Sequence, residues 1–328
     1  MMRVAFQGAP GAYSQAAIWE FIGPETECLP CETFEALFHA VLRGEATHAL
    51  LPIENSTTGS IHPAYDLLLQ YSLPIQREII LRIEHALLAA PEATLESIRR
   101  VTSHPQALAQ CEAYLRRHGW EAITAYDTAG AARELAQSKD VSTAVIASEI
   151  AAQIYGLQIL ERSIQDWQEN YTRFFLLGRT PPPYASPAKT TLVFATAHVP
   201  GALYRCLGEF ATRNLNLTRI ESRPDRRQPW HYLFYVDVEG HVSDAPMQEA
   251  LQALQSHTTF LRLLGSYPAS EKTFPLPHTR ERRQNDRHHE SPSNPNPNSS
   301  RDRTCRVSRL SRASLGWRGA HHLGHHRR

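Results

Sequence analysis

Short apolar runs alternate with segments whose apolar positions recur every three to four residues, and the rhythm persists from residue 4 to about residue 155. Residues 4–7 read as a strand and 12–21 as the helix after it, then 33–43 as a helix and 48–51 as a strand. Residues 61–71 follow as a helix and 76–89 as a strand-rich stretch. Residues 101–103, 105–118 and 122–126 then repeat the order strand, helix, strand. A helix at 128–137, a strand at 144–146 and a helix at 148–155 complete the series. Alternation of this kind predicts an α/β domain with a largely parallel sheet.

Residues 181–187 read Pro-Pro-Pro-Tyr-Ala-Ser-Pro. Proline lacks the amide hydrogen and fixes φ, so the run continues neither a helix nor a central strand and serves as a linker over 181–188. Beyond it come a strand at 190–195, a helix at 201–213, strands at 217–222 and 231–238, a helix at 246–257 and a strand at 260–267. That βαββαβ order predicts a small α+β unit of the ferredoxin-like type. The expected domains are therefore 1–180 and 189–268. From residue 269 to 328 the chain is polar, with too few apolar residues for a core, and a disordered basic tail is expected. Paired histidines in it, such as His321 and His322, are read as adventitious metal catchers at most.

Composition supports this division. A chain of 328 residues, 42% hydrophobic, is long enough for about two cores. The net charge of +1 hides an asymmetry: residues 271–328 hold 13 Lys and Arg against 5 Asp and Glu, leaving 21 against 28 before them. Five scattered cysteines favour a reducing compartment over a disulfide framework. Cys28-Leu-Pro-Cys31 has CxxC spacing without a second pair, so buried apolar thiols are favoured over a metal or redox site. No secretory or transit leader and no run of about 18 apolar residues is visible, and a cytoplasmic protein without a membrane partner is expected. The basic tail lacks interleaved aromatics, which argues against nucleic acid.

Candidate chemistry gathers where strands hand over to helices, the place where free helix amides face a ligand in open parallel sheets. At Gln7-Gly8-Ala9-Pro10-Gly11-Ala12-Tyr13-Ser14, backbone amides and the Ser14 hydroxyl suit an anion, and a tight turn with a cap is the plain alternative. Pro52-Ile53-Glu54-Asn55-Ser56-Thr57-Thr58-Gly59-Ser60 is denser in donors than one helix cap needs, which favours carboxylate recognition. Glu54 either orients a neighbour, donates when protonated, or is a surface residue. In Ser103-His104-Pro105-Gln106-Ala107-Leu108, Ser103 suits a cap and His104 reaches the same rim, as a structural or a catalytic group. Asp127-Thr128-Ala129-Gly130 reads as a helix start.

The last segment is a polar loop entering an apolar strand, with Asn170, Thr172 and Arg173 at the point of entry. Strand alternation lets Thr172 and Phe174 face one side while Arg173 faces the other, as a cation for a cleft or as an ion-pair partner.

Residues 8–14, 52–60, 103–108, 127–132, 155–157 and 170–174, in that order, resemble prephenate dehydratase over about residues 3–179, and Thr172-Arg173-Phe174 matches the family's Thr-Arg-Phe signature. The downstream unit resembles the ACT domain of the same enzymes through Gly201-Ala202-Leu203 and Glu221-Ser222-Arg223-Pro224. With no chorismate mutase segment before residue 4, the resemblance implies a monofunctional enzyme. It implies two periplasmic-binding-protein-like lobes with chain crossings near 75 and 165, followed by a ferredoxin-like ACT domain.

It also implies decarboxylating dehydration of prephenate to phenylpyruvate on the route to phenylalanine, with arogenate dehydratase as the near alternative and a non-catalytic amino-acid sensor as the distant one. Thr172 is implied as the essential hydroxyl, Arg173 as a carboxylate anchor, and Glu54 or His104 as the group that replenishes the proton, with Glu54 counted among the catalytic residues. Ser14, Asn55, Ser56, Gly59, Ser60, His104, Asn170 and Phe174 are implied around the substrate. Phenylalanine is implied as effector at Gly201, Ala202, Leu203, Glu221, Ser222, Arg223 and Pro224, completed by Asn214, Asn216 and Leu217, between ACT domains of a homo-oligomer, dimer or tetramer. No cofactor and no metal are implied.

Overall fold

The computed structural model describes residues 2–226 and 228–270. The tail expected from residue 269 lies, from 271 onward, outside the described residues.

The first lobe runs β1 (Arg3–Gln7), α1 (Tyr13–Phe21), β2 (Glu27–Cys31), α2 (Phe34–Arg43), β3 (His48–Asn55), β4 (Gly59–Ser60), α3 (His62–Gln70) and β5 (Ile75–Arg82). Its α2 shows how the local sequence sets an element. Thr33 accepts the Ala36 N–H at the start, Gly44 closes the end in the left-handed region at φ 82°, and Leu37, Phe38, Ala40 and Val41 form the buried stripe between them. β3 is apolar from Ala49 to Ile53 because both of its faces are covered. The pattern of apolar positions missed β2, where Pro30 interrupts the segment. The proline is tolerated because β2 is the edge of its sheet.

The second lobe runs β6 (Ala86–Ala89), β7 (Arg100–Ser103), α4 (Pro105–Gln110), α5 (Glu112–His118), β8 (Glu121–Thr124), α6 (Thr128–Ser138), β9 (Thr143–Ala147), α7 (Glu149–Tyr155) and β10 (Gln158–Glu161). The chain then returns as β11 (Tyr171–Gly178), antiparallel between β3 and β5. Strand orders are β2-β1-β3-β11-β5, with β4 against β3, and β10-β6-β9-β7-β8. Both sheets are mixed rather than largely parallel, since β11 runs against its neighbours in the first and β6 and β10 in the second. Apolar runs carry no direction, so periodicity could not show this.

The first crossing was expected near residue 75. The structure places it at 83–85, because Ile75–Arg82 is a full strand of the first sheet and only Ile83, Glu84 and His85 separate it from Ala86–Ala89 of the second. The return crossing spans 162–170. A second difference lies at Cys111, whose φ of −121° and ψ of 21° split the expected helix 105–118 in two.

The third unit runs β12 (Ala188–Thr196), α8 (Ala202–Ala211), β13 (Leu217–Pro224), β14 (Tyr232–Glu239), α9 (Ala245–Gln255) and β15 (Thr258–Pro268), with the antiparallel order β13-β14-β12-β15. One face of this sheet packs its helices through Leu192, Phe194, Cys206, Phe210, Val236 and Met247. The other face carries Val193, Leu233, Tyr235, Leu264 and Tyr267 into the apolar cluster that holds Leu37, Phe38 and Tyr65 of the first lobe. Each such side chain contributes about 1.5–3 kcal/mol when fully buried. The sheet is therefore docked on the lobe rather than tethered to it. The approach is closest at Gly265, where a Cβ would lie 2.6 Å from the Ile75 carbonyl oxygen.

Candidate active site between the lobes

A cleft of about 230 Å³ opens between the first two lobes. The β1–α1 junction supplies Gly8, Tyr13 and Ser14, the end of β3 and the turn after it supply Asn55 and Thr58, and β11 supplies Thr172 and Phe174. From the second lobe come His104, Gln106 and Gln110 of the α4 region and Asp127 and Thr128 at the start of α6. Ile83 and His85 form the wall at the crossing. The lobes also touch directly. Ser148 and Tyr155 donate their hydroxyls to the carbonyls of Gly11 and Pro10, and a Cβ on Gly11 would lie 2.8 Å from the Ala151 Cα.

Thr172 sits at the first sheet's edge of this cleft. Its Oγ1 accepts from Asn55 Nδ2 at 3.0 Å. Asn55 is buried, and its amide is not free to turn, because Oδ1 accepts the backbone N–H groups of Thr57 at 3.0 Å and Thr58 at 3.2 Å. The Thr172 oxygen is thus used as an acceptor, and no acceptor for its own proton stands within hydrogen-bond distance among the described residues. A hydroxyl held this way is ready to donate into the cleft.

The other predicted residues divide into groups. Ser14, Asn55, His104, Thr172 and Phe174 line the cleft together. His104, not Ser103, caps α4: its Nδ1 accepts the Gln106 N–H at 3.2 Å, so the neutral ring carries its proton on Nε2. The Ser103 hydroxyl instead donates to Ile146 O within the sheet. Asn170 lies one layer behind, accepting from Asn55 Nδ2 at 2.8 Å and donating to Gln110 Oε1 at 3.2 Å. Ser56 braces the backbone at Tyr171 and Glu169, and Gly59 turns the chain at φ 82°.

Arg173, Glu54 and Ser60 are not in the cleft, and the placement expected for them is corrected here. Alternation along β11 turns Arg173 to the opposite face of the sheet, where the third unit docks. There its Nη1 meets Asp237 Oδ2 at 2.6 Å, its Nε meets Glu78 Oε2 at 2.6 Å, and its guanidinium lies over the Phe175 ring. Burial alone would lower the Arg173 pKa, but Asp237, with Glu78, outweighs it and holds the group well above its usual range. Burial likewise opposes the Asp237 carboxylate, and Arg173 with the Thr191 hydroxyl overcomes it, so its pKa is lowered. Glu54 and Ser60 both turn to Arg219 of β13, at 3.1 and 2.8 Å. A buried ionic layer of this kind is weak evidence for stability, because the cost of desolvating its charges offsets their attraction.

The expected effector residues are also spread apart within one chain. Gly201, Ala202 and Leu203 line a depression at the β12–α8 turn. Asn214 takes the left-handed region at φ 55°, the Asn216 carbonyl accepts the Glu239 N–H, and Leu217 opens β13. β13 is the edge of its sheet. Glu221 and Arg223 point inward, to Ser60 at 2.7 Å and to Asp66 at 3.6 Å, while Ser222 and Pro224 are exposed.

Reading the sequence missed Gln110 and His85, both in the cleft wall, and gave no role to Tyr13 and Gln106. The one available signal was His85 itself, which follows Arg82 and Glu84 in a short polar interruption between the apolar segments 79–81 and 86–90. Cys28 and Cys31 are partly buried and unpaired, and burial pushes the Cys28 thiol up to about 11, away from thiolate chemistry. No group of three or more His, Cys, Asp and Glu able to hold a metal is found among the described residues, nor a helix long and apolar enough to cross a membrane.

Comparison with known proteins agrees with this layout. The family model "Prephenate dehydratase" matches residues 4–182, and "ACT domain" matches residues 190–255. Arogenate dehydratase/prephenate dehydratase 2, chloroplastic, of Arabidopsis thaliana is 48% identical over 278 residues, covering 81% of this chain and 73% of that protein. The crystal structure of prephenate dehydratase from Arthrobacter aurescens in complex with L-Phe aligns with a TM-score of 0.76 at 32% identity, over 88% of this chain and 97% of that one. GqqA, described as a novel type of quorum quenching acylase, aligns with a TM-score of 0.76 at 38% identity, over 82% and 98%. The chain therefore belongs to the prephenate dehydratase family of lyases, its two-lobed catalytic part followed by an ACT domain.

Proposed function

We propose that the chain converts prephenate to phenylpyruvate in phenylalanine biosynthesis, and that phenylalanine bound by its ACT domain controls the rate. The observation that carries this is the Thr172 hydroxyl, which lines the cleft with its oxygen accepting from Asn55 Nδ2 and its own proton left without an acceptor among the described residues. In the reaction the bond between the ring and its carboxylate breaks, CO₂ leaves, and the electron pair enters the ring as the opposite C–O bond breaks. The departing hydroxide takes one proton and leaves as water, so the dianion and a proton give phenylpyruvate anion, CO₂ and H₂O.

Thr172 donates a hydrogen bond to the leaving oxygen, the proton that completes the water comes from solvent through the open cleft, and His104, with its proton on Nε2, is a further hydrogen-bond donor in the same lining. General-acid help of this kind is worth roughly 10²–10⁴ in rate. Substrate carboxylates meet amide and hydroxyl donors, since the lining residues include no Lys or Arg. Ser14, Thr58, Gln106 and Gln110 supply them, with the helix amides beyond Thr128. The apolar side of the cleft at the buried Phe174 favours loss of the ring carboxylate as neutral CO₂.

A second reading follows from Asp127, the only carboxylate among the lining residues. Arogenate carries an α-ammonium where prephenate carries a keto group, and an ammonium finds a partner in Asp127. Relatives are named for both substrates. The ACT part also gives the protein a way to assemble: β13 is an exposed edge strand, and pairing of ACT domains would bring its Ser222 and Pro224 toward the Gly201 turn of a neighbour. Four unpaired cysteines among the described residues fit a reducing compartment, cytoplasmic or plastidic.

The test is product release by the purified full chain on prephenate and on arogenate, with and without phenylalanine. Phenylpyruvate from prephenate, modulated by phenylalanine, is expected. Phenylalanine released from arogenate at higher kcat/KM selects the second reading. Phenylalanine binding without turnover of either substrate points to a sensor, and cleavage of an N-acyl substrate alone points to an acylase.

A further inference from the structure

The proton positions of the cleft wall follow from one another, starting at two backbone amides. Thr57 and Thr58 N–H groups donate to Asn55 Oδ1, so Asn55 Nδ2 is the side that meets Asn170 Oδ1 at 2.8 Å and Thr172 Oγ1 at 3.0 Å. Asn170 Nδ2 must then be the donor to Gln110 Oε1. Because that oxygen is an acceptor, the ring nitrogen 2.7 Å away, His85 Nε2, carries a proton. His85 Nδ1 is then the acceptor in the neutral ring, and the Tyr13 hydroxyl, 2.6 Å away, donates to it. From its other end, Gln110 Nε2 donates to Thr57 Oγ1 at 2.8 Å, and Thr57 donates to Asn55 Oδ1 at 2.6 Å. Every link has one consistent direction, and the chain ends at Thr172.

His85 occupies a special place in it. It is buried in the first crossing between the lobes, and the second crossing closes on it: Gln165 Oε1 accepts its N–H at 2.9 Å and Ile164 N–H donates to its carbonyl at 3.1 Å. Its ring joins Tyr13 of the first lobe to Gln110 of the second. Gln110 in turn reaches back to the first lobe at Thr57, beside the Gln106 to Thr58 bond at 3.0 Å. The ring therefore sets the spacing of the two cleft walls at the point where the crossings meet.

We propose that His85 is a positioning residue for the dehydration: as the Nε2–H tautomer it fixes the Gln110 amide and the Tyr13 hydroxyl, and through them the geometry in which Asn55 presents Thr172. This rests on the dehydratase reading. Burial holds the imidazole pKa below its usual value, so the ring stays neutral and its two nitrogens keep opposite roles at neutral pH. The groups around it are Tyr13 from α1, Glu84 before it, Gln110 and Cys111 at the end of α4, and Gln165 from the second crossing. Tyr13 and Cys111 are both pushed up by burial and remain neutral.

The experiment compares kcat and KM for the full chain and for His85→Leu, His85→Gln and Tyr13→Phe, on the substrate the wild type turns over. His85→Leu is expected to lose about 10- to 100-fold in kcat with KM within about threefold, the scale of a misplaced catalytic group. His85→Gln keeps an N–H for Gln110 and should recover most of the loss. Tyr13→Phe added to His85→Leu should cost nothing further, because both act through one unit. Unchanged kcat in His85→Leu, or a Gln variant no better than Leu, overturns the proposal. If His85→Leu does not fold, Tyr13→Phe and His85→Gln decide: a kcat loss confined to Tyr13→Phe supports the proposal, and two unaffected variants overturn it. A wild type inert on both substrates contradicts the dehydratase reading and this proposal with it, whereas an active wild type beside an unaffected His85→Leu contradicts the proposal alone.

Discussion

Arg173 Nη1 and Asp237 Oδ2 lie 2.6 Å apart, joining the residue next to Thr172 to an inner strand of the ACT sheet. A carboxyl group whose pKa is lower in the folded chain than in the unfolded one contributes stability above its unfolded pKa, and that contribution is lost as pH falls through the folded value. Asp237 is such a group, lowered from 3.8. Stability against urea should therefore fall progressively below about pH 4. Asp237→Asn should lose about 3 kcal/mol at neutral pH, the low end for breaking a buried pair because Glu78 remains on Arg173, and should flatten the acid limb. A wild-type acid limb that persists unchanged in the variant would assign it to other groups.

Docking of the ACT sheet depends on close approach of backbones at Gly265. Adding a methyl group there puts a Cβ 2.6 Å from Ile75 O and 2.8 Å from Ile75 N, both of them backbone atoms that cannot swing aside. Gly265→Ala should destabilise the chain by about 1–3 kcal/mol, read as a lower urea midpoint. Gly208→Ala is the control, since nothing stands within 4 Å of a Cβ there. Equal midpoints for the two variants would show that β5 and β15 separate freely.

Substrate choice is expected to turn on Asp127. Its carboxylate accepts the Gly130 N–H and caps α6, a role asparagine fills equally well, so Asp127→Asn keeps the fold while removing the charge. If arogenate is a substrate, losing a partner for its ammonium should lower kcat/KM on arogenate about tenfold or more, with prephenate unaffected or improved. Equal losses on both compounds would confine Asp127 to capping.

Much of the fold was legible because alternating apolar periods are local. The βαββαβ unit and most of the lobes' elements follow from it, and so does the fact that Thr172 and Phe174 share a face opposite Arg173. What Arg173 meets on that opposite face was not legible. Asp237 and Glu78 come from distant parts of the chain, and no local pattern announces a sheet docking there. The same holds for His85 and Gln110, which meet only because two crossings converge. The crossing itself was misplaced by about one strand, since only three residues separate the strand leaving one lobe from the strand entering the next and the two read as one strand-rich stretch. Glu54 was set beside the substrate by the resemblance; on a strand, adjacent residues face opposite ways, so Asn55 serves the cleft while Glu54 goes to Arg219.

The central claim is that the Thr172 hydroxyl assists departure of the ring hydroxyl. It is tested most directly by kcat of Thr172→Val, which keeps the shape and β-branching and removes the oxygen, beside Thr172→Ser, which keeps the oxygen. The valine variant should lose roughly 10²–10⁴ in kcat while the serine variant stays within about tenfold of wild type. A folded Thr172→Val chain that releases product at the wild-type rate would contradict the account.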